Sequence, residues 1–233
     1  MKRIFALAAI ACVSLCTKSS FGRTITGFHL APAGAVTPLS TPAPNNDNTV
    51  NASPNTITLP AGGSVASPLV ATTLGPIDYI FDVQASQGST EYRVTTFIAN
   101  NSGTAWTGFI FQLGTGSGAS FSPIANAIPE IHPPTFDSPN FDPDLTNTAF
   151  NSVSLNAMQV TFAGAPLASG PSSVMTSSLS IDTLDDMISG GATNFTLRMI
   201  PVPEPAPVSL AVCAGLGLFA LRKEKSKWNS SAG

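Results

Sequence analysis

From Ile77 onward the chain takes on a period of two. Ile77, Tyr79, Phe81 and Val83 alternate with Asp78 and Asp82, which puts the apolar side chains on one face of an extended strand and the polar ones on the other. The pattern returns at Tyr92, Val94, Thr96 and Ile98, across residues 106–113, at Met158, Val160 and Phe162, at Leu179 and Ile181, and at Phe195, Leu197 and Met199. Between these runs stand turn formers: residues 100–104 read Asn-Asn-Ser-Gly-Thr and residues 114–118 read Gly-Thr-Gly-Ser-Gly. Short alternating strands cut by Gly, Asn and Pro predict a mainly β fold, an antiparallel β-sandwich over residues 76–200. Only residues 181–189 suit a helical turn, with Asp182 as its N-cap. Composition agrees: 10% of the 233 residues are charged, against about 25% in ordinary globular proteins, and 19 Gly and 20 Pro take part of their place. Coiled coils and helical bundles rich in Ala, Glu, Lys and Leu are excluded.

Ahead of the alternating region, residues 31–66 are built of Pro, Thr, Ala, Asn and Ser without an aromatic side chain. Such a stretch buries too little apolar area to offset its ordering entropy, so residues 23–75 are expected to be a low-complexity spacer. Short strands are conceivable within it at 56–59 and 67–73.

Each end carries an uncharged apolar run. Lys2 and Arg3 precede an apolar run over residues 4–16, too short to span a bilayer, and Ser20-Phe21-Gly22 supplies a small-x-small pattern. This is the layout of a secretory signal peptide over residues 1–22, with signal peptidase cleaving after Gly22. A lipoprotein cleaved before Cys16 would need a small residue in front of it, and Leu15 stands there. At the other end residues 206–221 carry no charge and are followed by Arg222, Lys223, Lys225 and Lys227. As a helix this run measures about 24 Å against a hydrocarbon core of about 30 Å. Cations on its cytoplasmic side snorkel and complete the span, so a single transmembrane helix with a basic stop is expected. Immediately before it comes Val202-Pro203-Glu204-Pro205, with Pro207 beyond. Alternate prolines remove backbone donors and force an extended backbone, the shape a peptidase reads.

Val202-Pro203-Glu204-Pro205, the short apolar run and the Arg/Lys stop together resemble the PEP-CTERM sorting signal of exported Gram-negative bacterial proteins, over about residues 202–227. The resemblance implies a precursor anchored transiently in the inner membrane. It also implies recognition by a membrane-embedded exosortase, cleavage near the Pro-Glu-Pro motif, and delivery to the cell surface or extracellular matrix as a biofilm or envelope component. Residues 100–109 also resemble a turn-and-strand segment of small PEP-CTERM ectodomains. The same tail module occurs under an ice-binding label. Ice binding wants regular Thr-x-Thr ranks, whereas Thr24/Thr26, Thr56/Thr58 and Thr146/Thr148 follow no period.

Charge and cysteine are segregated. Cys12, Cys16 and Cys213 all lie in the apolar ends, which leaves the middle without a disulfide framework or thiolate site. Between Arg23 and Pro205 stand three arginines, no lysine and twelve acids, a formal charge of −9 within a chain whose overall value is −3. A nucleic-acid partner is thereby excluded.

Candidate chemistry in the middle is sparse. The chain has two histidines, His29 and His132. No nucleophile elbow accompanies His132, and Glu130 with His132 gives two ligands where zinc needs more. Asp137, Asn140, Asp142 and Asp144 offer hard oxygens suited to Ca²⁺, but the segment lacks the glycine and terminal glutamate of an EF-hand, and Asp and Pro are good turn formers in their own right. The glycine-rich turn at 114–118 has no following helix and lysine, so it is a hairpin or bulge rather than a phosphate loop. Trp106, Phe109 and Phe111 could stack on a sugar. Alternation instead buries Phe109 and Phe111 together and leaves Trp106 on the opposite face. No cofactor, catalytic residue or metal ligand is assigned. The expectation is an exported, non-enzymatic surface protein, with an extracellular polysaccharide- or Ca²⁺-binding module as the alternative.

Overall fold

The computed structural model describes residues 23–32, 34–39, 55–85, 90–124, 135–136, 145–183 and 193–205. Over these residues the fold is all-β, and the sole helical element among them is a 3-10 turn at Gly118–Ser120. The strands are β1 (Arg23–Leu30), β2 (Thr37–Pro38), β3 (Thr56–Leu59), β4 (Leu69–Ala71), β5 (Ile77–Ala85), β6 (Thr90–Asn100), β7 (Trp106–Thr115), β8 (Ser122–Pro123), β9 (Thr135–Phe136), β10 (Thr146–Asn147), β11 (Ser152–Asn156), β12 (Gln159–Leu167), β13 (Val174–Thr183) and β14 (Asn194–Pro203).

They form two sheets. One runs β11-β12-β7-β14-β5-β1-β2, with β8 also on β7; the other runs β10-β13-β6-β3, with β4 on β6 and β9 on β13. The inner faces meet in one apolar core, as in a sandwich. The first sheet contributes Tyr79, Phe81 and Val83 of β5, Phe109, Phe111 and Leu113 of β7, and Phe195, Leu197 and Met199 of β14; the second contributes Tyr92, Val94 and Ile98 of β6 with Leu179 and Ile181 of β13. Phe81 and Phe195, opposite each other on neighbouring strands, stack at 5.0 Å between ring centroids, a geometry that adds to simple area burial. The period-two reading of β5, β6, β7, β12, β13 and β14 is thus seen as inward-facing side chains.

The fold departs from the sequence reading in three places. Residues 23–75 are not wholly spacer: β1 pairs along β5 from Arg23↔Ala85 to Leu30↔Tyr79 and buries Ile25 and Phe28. The short strands conceived at 56–59 and 67–73 are present as β3 and β4 on β6, and β3 buries Ile57 and Leu59. Both of these pairings are parallel, so the second sheet is mixed rather than purely antiparallel. The expected helical turn at 181–189 begins within a strand, since Asp182 belongs to β13 and lies opposite Glu91; the rest of that segment is outside the described residues.

Two side chains tie the sheets together. The Tyr92 hydroxyl lies 2.7 Å from Thr24 Oγ1 and accepts the Ile25 N–H at 2.8 Å. Thr183 Oγ1 donates to the Arg23 carbonyl at 2.6 Å and to the Thr90 carbonyl at 2.8 Å. Because β1 and β14 both run antiparallel to β5, they point the same way. Arg23 therefore sits at one end of the sandwich and Pro203 at the other, about 40 Å apart at ~3.3 Å per residue.

Candidate functional site

The expected sorting motif is continuous with the last strand. β14 lies between β5 and β7 as far as Met199, which pairs with both Ile77 and Phe111. Beyond that point β5 has ended and β14 pairs with β7 alone, through Ile200↔Ile110, Pro201↔Phe109, Val202↔Gly108 and Pro203↔Trp106. This is where prolines are tolerated in a sheet. Residues of one parity turn their N–H groups to one edge, so Pro201 and Pro203 direct their missing donors to the open side. The N–H groups of the other parity stay available to β7, and the Glu204 N–H donates to the Ala105 carbonyl at 2.8 Å. Thr107 Oγ1 adds contacts to the Val202 and Pro203 carbonyls at 3.5 Å each. Pro201 is buried, Val202 half-buried, and Pro203, Glu204 and Pro205 are exposed. The motif is therefore an exposed handle whose first half is stitched to the sheet.

Beside it, the turn after β6 is built around Asn100. Its buried side chain donates from Nδ2 to the Thr104 and Leu167 carbonyls at 2.9 and 3.0 Å, and Oδ1 accepts from the Ser102 N–H and hydroxyl at 3.1 and 2.8 Å. Ser102 in turn accepts from the Trp106 indole N–H at 3.1 Å. Gly103, at φ +81°, closes the turn in a conformation that glycine adopts without strain. The turn fixes the start of β7, which is the strand that holds the motif.

A bulge at Thr107 sets the side-chain directions there. Trp106 and Gly108 face consecutive residues of β14, so Thr107 is the extra residue. The bulge reverses the alternation and brings Trp106 onto the same inner face as Phe109, with ring centroids 5.6 Å apart. Trp106, Phe109 and Phe111 are all fully buried. The expectation that Trp106 faces outward is thereby corrected, and no aromatic platform is left for a sugar.

The second polar cluster lies on the outer face of the same sheet. Arg198 of β14 grips Asp78 of β5 through Nε and Nη2, both at 2.7 Å, and Nη2 also donates to the Gly118 carbonyl at 2.7 Å. The Gly118 N–H returns a bond to Asp78 Oδ2 at 2.7 Å, and the guanidinium lies 3.8 Å from the centroid of the Phe121 ring. The glycine-rich turn thus folds back over the sheet and is latched there. Gly116 and Gly118 take φ +71° and +56°, and a side chain at position 114 would collide with the Phe121 ring. Asp78 also forms part of the wall of an open cleft of about 460 Å³, with Leu30, Pro32, Val70, Thr73 and Ile77. Both Asp78 oxygens are already committed to Arg198 and Gly118, so the cleft offers walls rather than a catalytic group.

His29 is on β1, opposite Ile80, with Nδ1 3.9 Å from Asp82 Oδ2. Among the described residues no group of three His, Cys, Asp or Glu is placed to hold a metal. The threonine pairs form no array: Thr24 is buried against Tyr92, while Thr56 and Thr146 lie on strands at opposite edges of the second sheet. The chain matches no protein-family model, no curated protein and no solved structure. Gly22, Glu130, His132, residues 137–144, the apolar run 206–221 and the basic stop Arg222, Lys223, Lys225 and Lys227 lie outside the described residues. Among the described residues no helix is long and apolar enough to cross a membrane. The bond from the Asn100 turn to Leu167, the Thr24–Tyr92 bridge and the Arg198–Asp78 latch are not legible in the sequence. Each joins residues far apart in the chain, and only the turn residues at 100–104 gave a local signal.

Proposed function

We propose that the chain is an exported, surface-sorted, non-enzymatic protein. In this reading a signal peptidase cuts after Gly22, and the 206–221 run holds the precursor in the inner membrane. An exosortase-like peptidase then acts near Val202-Pro203-Glu204-Pro205, and the β domain reaches the cell surface or the extracellular matrix. One observation carries the reading: the proline-bounded motif is the exposed end of β14, one residue before the uncharged run and its basic stop. For the saccharide-binding alternative, Trp106, Phe109 and Phe111 are buried in the core and are not open to a sugar.

Intact-mass analysis of secreted and membrane fractions tests the proposal by fixing both termini at once. The expected mature species begins at Arg23 and ends near Pro203–Pro205. Full-length chain dissolved in the cytosol, with both ends uncut, overturns it.

A further inference from the structure

The end of the sandwich from which β14 departs differs in kind from the rest of the molecule. The connections 31–36, 60–68, 72–76, 101–105 and 168–173 all lie there. β1 ends opposite the start of β5, β3 and β4 run alongside the last half of β6, and β12 ends opposite Trp106. None of these connections contains Asp, Glu, Lys, Arg or His. Between Arg23 and Pro205 the chain has a formal charge of −9, yet these five connections carry none of it. The described charges away from this end include Asp82, opposite Asn194, and Glu91, opposite Asp182. Asp78 is neutralised by Arg198, and Glu204 alone stands at the exit of the chain.

Among the described residues, the same end carries most of the exposed large apolar side chains. Val36, Val65, Val70 and Leu74 are 39–62% exposed, and all four sit in or beside those connections; the fifth, Val153, is on the edge strand β11. Scattered exposed apolar residues are ordinary, but a set gathered at one uncharged end marks a contact surface. From that same end the chain passes at Pro205 into the uncharged run 206–221.

We infer that this end is a lipid-docking surface: Val65, Val70 and Leu74 seat in the interfacial layer of the bilayer while the precursor is anchored, holding the domain upright on its C-terminal pole. The chemistry favours lipid over a protein partner. No folded residue separates the strand end from the anchor, so the pole is held at the interface whether or not a protein is present. The five connections at this end carry no carboxylate, so they meet none of the repulsion that acidic side chains meet at anionic headgroups. Burying branched apolar side chains among headgroups and upper acyl chains is favourable by the same area rule that governs interfacial helices. The inference rests on residues 206–221 being the anchor.

The test uses the full chain with Cys12, Cys16 and Cys213 replaced by serine, reconstituted in phosphatidylcholine vesicles. An environment-sensitive dye is placed at L74C or V65C, or at Q84C near the opposite end. The expected result is co-flotation with the vesicles, blue-shifted emission at positions 65 and 74 with strong quenching by lipids brominated high on the acyl chain, and water-like, unquenched emission at position 84. Co-flotation with unquenched dye at 65 and 74 overturns the docking surface and leaves the anchor standing. Blue-shifted emission without bromolipid quenching assigns the pole to a protein contact and also overturns it. Failure to co-float overturns both.

Discussion

Tyr79 and Tyr92 are the chain's only tyrosines, and both are buried in the sandwich. Burial pushes the Tyr79 phenol from its ordinary 10 up to about 12, because the phenolate would lose its hydration in the core. The Tyr92 phenol is also raised by burial, and its bonds to Thr24 and Ile25 counter this only partly. Below pH 10 both rings are neutral folded and unfolded, and the contribution to stability is complete. Above pH 10 an unfolded chain releases protons that the fold retains, so each further pH unit favours unfolding until the folded pKa is passed. The urea midpoint should therefore fall between pH 10 and about 12, and tyrosinate absorbance should appear with unfolding rather than before it. Tyr79→Phe should flatten the decline. Reversible ionisation of both rings near pH 10 with the fold intact would show that neither is buried as described. No lysine or cysteine lies between residues 23 and 205 to complicate that window.

At the scale of the element, alternation was legible wherever a strand is regular and lost wherever one is bulged. β5, β6 and β14 show the period of two directly. In β1 the register shifts between Ile25 and Gly27, so the buried side chains fall at Ile25 and Phe28, three apart, and the segment reads as aperiodic beside a Pro- and Thr-rich neighbour. In β7 the bulge at Thr107 does the same to Trp106 and Phe109. A bulge inserts one residue and inverts facing beyond it, and nothing local in the sequence announces it. The parallel placement of β3 and β4 was illegible for a different reason, since it depends on the partner strand β6 more than thirty residues ahead of β3. The prolines at 203 and 205 mark an extended segment in the sequence, but its pairing to β7 is not legible there. Deleting Thr107 should restore strict alternation and turn Trp106 out of the core. In a Trp228→Phe background the emission of Trp106 should then move to the red, with a loss of about 3 kcal/mol, as for removal of a buried aromatic side chain. Unchanged emission and stability would mean that the bulge does not set the direction of Trp106.

For the molecule as a whole, chain order and sheet order conflict. β14 is the last strand described in the chain, yet it lies between β7 and β5 near the middle of its sheet. Phe195, Leu197 and Met199 are all fully buried. At about 1.5–3 kcal/mol each, their burial alone amounts to several kcal/mol, comparable with the 5–15 kcal/mol that separates a typical folded domain from its unfolded chain. Without β14 the first sheet falls into two pieces, β11-β12-β7 and β5-β1-β2, with no ladder between them. The sandwich therefore cannot close until residues 194–203 are present. A chain ending at Thr193 should lack a cooperative thermal transition and bind hydrophobic dye, whereas one ending at Pro205 should unfold in a single transition close to that of the full chain. The contrast separates a fold that needs its final strand from one that merely tolerates it, and a sharp, dye-free transition in the Thr193 truncation would rule out the first. If the final strand is required, the domain becomes complete only when residues 202–205 are in place, so under the proposed function the segment offered to the peptidase is one that folding has already drawn against β7.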